Sequence, residues 1–95
     1  MDQERRKQLG AYFTPDAAAA ALVKWATRSP HDRLLDPSAG DGRFIALHRR
    51  SVGVETDPSS AAQARERAPW ALVHEGDFFS WASSTKERFE CAAGN

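Results

Sequence analysis

Leu34-Leu35-Asp36-Pro37-Ser38-Ala39-Gly40-Asp41-Gly42-Arg43-Phe44 is the stretch on which the fold turns. Residues 33–35 read as a short buried strand. A loop with glycines at 40 and 42 follows, and residues 43–49 then read as a helix of about two turns. Strand, glycine loop and helix in that order let a backbone approach a ligand closely, and this loop opens on a carboxylate, Asp36.

Upstream, a polar start over residues 1–9 leads into Leu9-Gly10-Ala11-Tyr12-Phe13-Thr14-Pro15. A helix is expected next, with Thr14 as N-cap, Pro15 at its first position and Asp16 favoured by the helix dipole. Ala18, Ala21, Leu22 and Trp25 are expected to share its apolar face, and Ser29-Pro30 ends it. Downstream, residues 51–55 (Ser-Val-Gly-Val-Glu) read as a second strand. Asp57 then caps a helix that begins with Pro58 and carries a stripe of Ala61, Ala64 and Ala68, small enough to sit close on a sheet. Residues 70–74 read as a third strand, 75–79 as a loop, 80–86 as a polar connection with about one helical turn, and 89–93 as a fourth strand. Strands alternating with helices imply an α/β fold with a parallel, Rossmann-like sheet of about four strands.

Composition narrows the field. The chain has 95 residues, with 13 basic against 13 acidic side chains, which suits one small domain and argues against a basic nucleic-acid clamp. Arg5, Arg6 and Lys7 read as a solvated terminus. A single cysteine, Cys91, excludes a disulfide framework, and in an apolar strand it reads as a small buried hydrophobe. His31, His48 and His74 lack metal-ligand spacing, so no metal is expected. Trp25, Trp70 and Trp81 read as core or edge packing. The N-terminus has no apolar run for export or membrane spanning, so a cytoplasmic protein without a membrane partner is expected.

In open α/β sheets ligands bind beyond the carboxyl ends of the strands. Asp36, Glu55 and Asp77 each follow a predicted strand, so all three acids are expected to line one crevice. A dinucleotide fits this poorly. The third small residue of G-x-G-x-x-G/A is replaced by the bulky Ile45, and Asp36 and Asp41 would flank a doubly negative pyrophosphate. A cationic nucleoside without phosphate fits well. S-adenosylmethionine offers an ammonium group to Asp36, two ribose hydroxyls to Glu55 and an adenine amino group to Asp77, with Phe78 beside the ring. Gly40 and Gly42 remove side chains so that the ligand can lie on the backbone.

D-P-S-A-G-D-G, G-V-E-T-D-P and G-D-F resemble three successive motifs of class I S-adenosylmethionine-dependent methyltransferases. L-G-A-Y-F-T-P ahead of the first strand is similar to the N-terminal motif of the gamma-class adenine-N6 DNA methyltransferases of restriction–modification systems. The resemblance runs from Leu9 to Asn95. It implies that Tyr12, Phe13 and Thr14 lie against the methionine end, with Thr14 bonding its carboxylate. It places Asp36 at the amino group, with Pro37 and Ser38 shaping the loop. Glu55 holds the ribose, Thr56 borders the adenine where the family more often has an aliphatic residue, and Asp77 and Phe78 fix the adenine. Asn95 matches the first letter of Asn-Pro-Pro-Tyr/Phe, the motif whose asparagine accepts from the target amine and whose aromatic residue stacks on an extruded base.

The resemblance therefore implies a tail over residues 1–9 and, over 10–95, the cofactor-binding part of an adenine-N6 DNA methyltransferase, inactive alone. DNA would be contacted through regions beyond this chain. Two other readings stay open: a methyltransferase of the same fold acting on RNA, protein or a small molecule, and a split-protein cofactor module that needs a second chain. With strand order 3-2-1-4 the fourth strand is an open edge, at which self-association or a complementary chain is expected.

Overall fold

A computed structural model describes residues 16–94 of the chain. The expected cap and cofactor roles of Tyr12, Phe13 and Thr14, and the role of Asn95, lie outside the described residues.

Helix α1 (Asp16–Ala26) precedes strand β1 (Leu34–Asp36). The glycine loop and a single turn of 3-10 helix (Ile45–Leu47) lead to β2 (Ser51–Glu55). Then come helix α2 (Pro58–Arg67), β3 (Leu72–Glu75), helix α3 (Phe78–Ser84) and the two-residue β4 (Cys91–Ala92). Among the described residues all pairings are parallel and the strand order is β3-β2-β1-β4, the order under which the fourth strand is expected to form an edge. Register aligns Leu34 with Ser51 and Cys91, and Glu55 with Glu75. The strand ends that carry Asp36 and Glu55 therefore finish on one rim.

Buried residues lie on both faces of the sheet, since Val52 and Val54 of β2 are buried on the face opposite the Gly53 side that meets Ala39 and Ile45. Leu34 and Phe44 pack with Ala19 and Val23 of α1, while Ile45 packs with Ala64 and Ala68 beside Val73. Ala61, Ala64 and Ala68 are fully buried, as the small-residue stripe predicts. Asp57 caps α2 by accepting from the Ser60 amide at 2.8 Å. The alanines let α2 sit so close that a Cβ on Gly42 would come 2.8 Å from the Ala64 Cα.

Five expectations are corrected. The buried side of α1 is Ala19 and Val23, whereas Ala18, Ala21, Leu22 and Trp25 are exposed. Every residue from Ala17 to Val23 is apolar, so periodicity cannot orient that helix. Residues 43–49 form one 3-10 turn in place of two α turns. The Ile45 carbonyl is taken by the Ser51 hydroxyl at 3.0 Å and the Trp70 indole N–H at 3.1 Å, tertiary bonds that compete with continued helix. Residues 78–79 begin α3 and do not belong to a loop, because Asp77 accepts from the Ser80 amide at 2.9 Å and starts the helix there. The fourth strand is two residues long, and among the described residues it pairs only with β1. Trp81 lies between His74 and Phe89; Trp70 is 38% exposed, with its indole N–H donating to the Ile45 and His48 carbonyls, and Trp25, expected to pack, is 85% exposed.

Candidate cofactor site

The loop after β1 is hooked to β2 by the Ala39 amide, which donates to the Val54 carbonyl at 2.9 Å. It closes on itself through the Gly42 amide and the Ala39 carbonyl, also at 2.9 Å. Gly40 (φ +56°) and Gly42 (φ +89°) take left-handed conformations that residues with a Cβ rarely adopt. Their surroundings differ. Gly42 is glycine because α2 sits on it. A Cβ on Gly40 would meet nothing within 4 Å, so the backbone there faces open space in which a ligand can lie.

Glu55 ties the rim together. Its Oε1 accepts from the Gly40 amide at 2.7 Å and its Oε2 from the Asp57 amide at 2.8 Å. The carboxylate is thus held at both oxygens by backbone, and each oxygen keeps a lone pair for a further donor. This also separates the two neighbouring acids: Glu55 belongs to the glycine loop and Asp57 to the helix cap. Thr56 is exposed at the bend between them.

Asp36 is held differently. It is 1% exposed, and its Oδ1 accepts from the Ser38 amide at 3.0 Å. Its Oδ2 is buried without a hydrogen-bond partner among the described residues. Burial pushes its carboxyl up from 3.8 to about 6; the Ser38 bond lowers it and the nearby charge of Glu55 raises it further. A buried oxygen with no donor costs free energy until a donor arrives, and a cationic one suits it best. Pro37 is half-buried and shapes the turn.

Asp77 stands apart. Exposed, its carboxylate caps α3. Phe78 is half-buried, with its ring 5.9 Å from Trp81 and 5.6 Å from the largely exposed Phe79. A shallow depression of about 510 Å³ beside β3 is lined in part by Val54, Gly76, Asp77 and Trp81. The structure therefore brings Asp36, Glu55 and the loop glycines together, and sets Asp77 and Phe78 at the neighbouring strand end.

Two glycines escaped the sequence reading. A Cβ on Gly53 would lie 2.7 Å from the Ala39 Cβ, and one on Gly94 would collide with the Asp36 carboxylate. A glycine inside a strand or at its end often marks such close approach, and that was the available signal.

The fold is that of class I S-adenosylmethionine-dependent methyltransferases. The RNA methyltransferase from Salinibacter ruber, solved with S-adenosyl-L-homocysteine, matches 70% of this chain and 50% of its own at a TM-score of 0.61 and 30% identity. Over nearly its whole length the chain is similar to type II methyltransferases, the restriction–modification group its motifs resemble. It is 31% identical over 102 residues to the type II methyltransferase M.CvrRI of Paramecium bursaria Chlorella virus XZ-6E, covering 100% of this chain. It is 32% identical over 96 residues to a type II methyltransferase of Thermus thermophilus, covering 94%. The chain spans 26% and 21% of the length of these two relatives. No family model matches.

Proposed function

We propose that this chain is the S-adenosylmethionine-binding part of a DNA adenine-N6 methyltransferase of the gamma class. The observation that carries the cofactor reading is the pair formed by Asp36 and Glu55. One is a buried carboxylate with an oxygen awaiting a donor, the other a carboxylate fixed beside an open glycine backbone. Asp36 Oδ2 would receive the ammonium group, the uncluttered backbone at Gly40 would underlie the methionine and ribose, and Glu55 would accept from the ribose hydroxyls. Asp77 and Phe78 would meet the adenine, and Tyr12, Phe13 and Thr14 the methionine end.

When bound, the cofactor supplies an activated methyl group on a sulfonium, so the chain's own residues contribute position more than activation. Asp36, once ionised, anchors the charged end and Glu55 fixes the ribose. Asn95 would accept from the target amine and steer its lone pair. Support for adenine in DNA as the target comes from L-G-A-Y-F-T-P and from relatives named as type II methyltransferases. An RNA target is the second reading, favoured by the 30% identity to an RNA methyltransferase. The free edge of β4 would pair with a further strand of the same protein, a second copy or a complementary chain. Among the described residues no helix is long and apolar enough to cross a membrane.

Calorimetric titration with S-adenosylmethionine tests the reading. The wild-type chain is expected to bind and Glu55→Gln to lose about tenfold or more in affinity, as one charge-assisted contact implies. Equal affinities would remove Glu55 from the site, and no binding by a folded wild type would remove the cofactor.

A further inference from the structure

The chain leaving β4 passes directly over Asp36. Ala93 donates its amide to the Leu35 carbonyl at 3.0 Å, which holds this segment to β1 one residue before the contact. The next residue, Gly94, lies so near the Asp36 carboxylate that an added Cβ would collide with Oδ1 and lie 3.0 Å from Cγ. Real Cβ atoms essentially never approach so closely, so the position admits only glycine unless the carboxylate or the strand exit moves. Part of what makes Asp36 1% exposed is therefore the bare backbone of Gly94.

We propose that Gly94 is a positioning residue. Its missing side chain lets the exit of β4 rest on the Asp36 carboxylate, so that whatever engages this carboxylate also sets the segment leading into residue 95. The ligand half rests on the cofactor reading above; the contact itself does not. Among the described residues, Glu55 and Gly94 approach Asp36 from outside its own loop. From β2 comes the charge of Glu55, and from the exit of β4 comes Gly94, which carries no charge. The loop supplies the Ser38 amide. An ammonium group arriving at Oδ2 alters the charge and the lean of a carboxylate whose other oxygen touches Gly94. Loading of the cofactor is thereby transmitted to the strand end from which the target-amine motif is expected to start.

Nuclear magnetic resonance on the 95-residue chain tests this. The amide signal of Gly94 is expected to move with pH at the same midpoint as the Asp36 carboxyl carbon, and to stop moving in Asp36→Asn. In Gly94→Ala the lifted strand exit admits water, and the Asp36 midpoint is expected to fall by about one pH unit toward the ordinary carboxylate range. S-adenosylmethionine, added at about pH 8, is expected to move the Gly94 and Gly40 signals at the same ligand concentrations. A Gly94 signal that stays flat while Asp36 titrates overturns the proposal. So does one that titrates equally in Asp36→Asn, or an Asp36 midpoint that Gly94→Ala leaves unchanged in a folded variant. Should the cofactor move Gly40 and leave Gly94 still, the coupling fails while the cofactor reading stands. Should it move neither, although pH moves Gly94 through Asp36, the cofactor reading fails and the contact stands.

Discussion

Asp36 ends β1 and Asp77 follows β3, two strands away along the same rim, and the fold uses the two side chains in opposite ways. Asp36 is sealed, with one oxygen on a loop amide, the other without a donor, and a proton affinity raised well above normal. Asp77 is open to solvent and engaged in starting α3. An acid past a strand thus has two uses: it can be kept hungry for a ligand, or it can be satisfied by its own backbone. Glu55, between them, shows a third arrangement, with both oxygens bound to backbone and spare lone pairs turned to the site. Of these three acids, Asp36 alone carries a standing energetic cost that ligand binding would relieve.

Replacing that group should give the largest effect. The folded Asp36 carboxyl holds its proton to about pH 6, whereas the unfolded chain releases it near 3.8. Between those values the folded state binds more protons. The stability owed to this group is therefore full below the lower value and lost as pH rises through the upper one. Above pH 6 the charge remains in the folded protein at a cost of roughly 3 kcal/mol, since each pH unit between the two values is worth about 1.4 kcal/mol. Asp36→Asn is expected to recover up to that amount at about pH 8 and almost none at about pH 4, measured by urea unfolding at both. The same variant should bind S-adenosylmethionine more weakly, while wild-type affinity climbs as pH passes 6. A variant less stable than wild type at pH 8 would mean that the carboxylate already has a donor, and the contrast with Asp77 would collapse.

Cap removal should come next. Asp57→Ala and Asp77→Ala each take the acceptor from a helix N-terminus, which typically costs about 1 kcal/mol. The two helices differ in what they bury. Ala61 and Ala64 of α2 are fully buried, but α3 has no buried residue. Asp57→Ala is therefore expected to lower global stability by the full amount in urea. Asp77→Ala should appear mainly as faster amide exchange within α3, with a smaller change in the urea midpoint. Equal global losses would show that α3 is as much part of the core as α2.

Much of this was legible in the sequence, and the rest was hidden for identifiable reasons. The parallel sheet, the β2 boundaries, the Asp57 cap and the alanine stripe follow from local signals that agree with one another, whereas the strand order enters only as a condition. The lean of α1 does not follow from them, because an all-apolar run has no preferred face. Ala18, Ala21, Leu22 and Trp25 look outward here although they are as hydrophobic as Ala19 and Val23. The shortened turn at residues 45–47 depends on Trp70, 25 residues away from Ile45, competing for its carbonyl. At the site, the residue types at 36, 40 and 55 announced themselves. What stayed out of reach was the division of labour between Gly40 and Gly42, set by α2, and the cover that Gly94 places on Asp36.

The smallest expected change sharpens the contrast most. Asparagine caps a helix about as well as aspartate, so Asp77→Asn should leave stability within about 0.5 kcal/mol of wild type across the pH range. Its amide oxygen can still accept from an adenine amino group, so affinity for S-adenosylmethionine should fall by no more than about threefold. The same exchange at Asp36 removes a charge and changes both stability and affinity. One chemical change, acid to amide, thus separates the two strand ends. A large affinity loss in Asp77→Asn would place a cation or a second donor at that end, and Asp77 would join Asp36 as a charge the ligand requires.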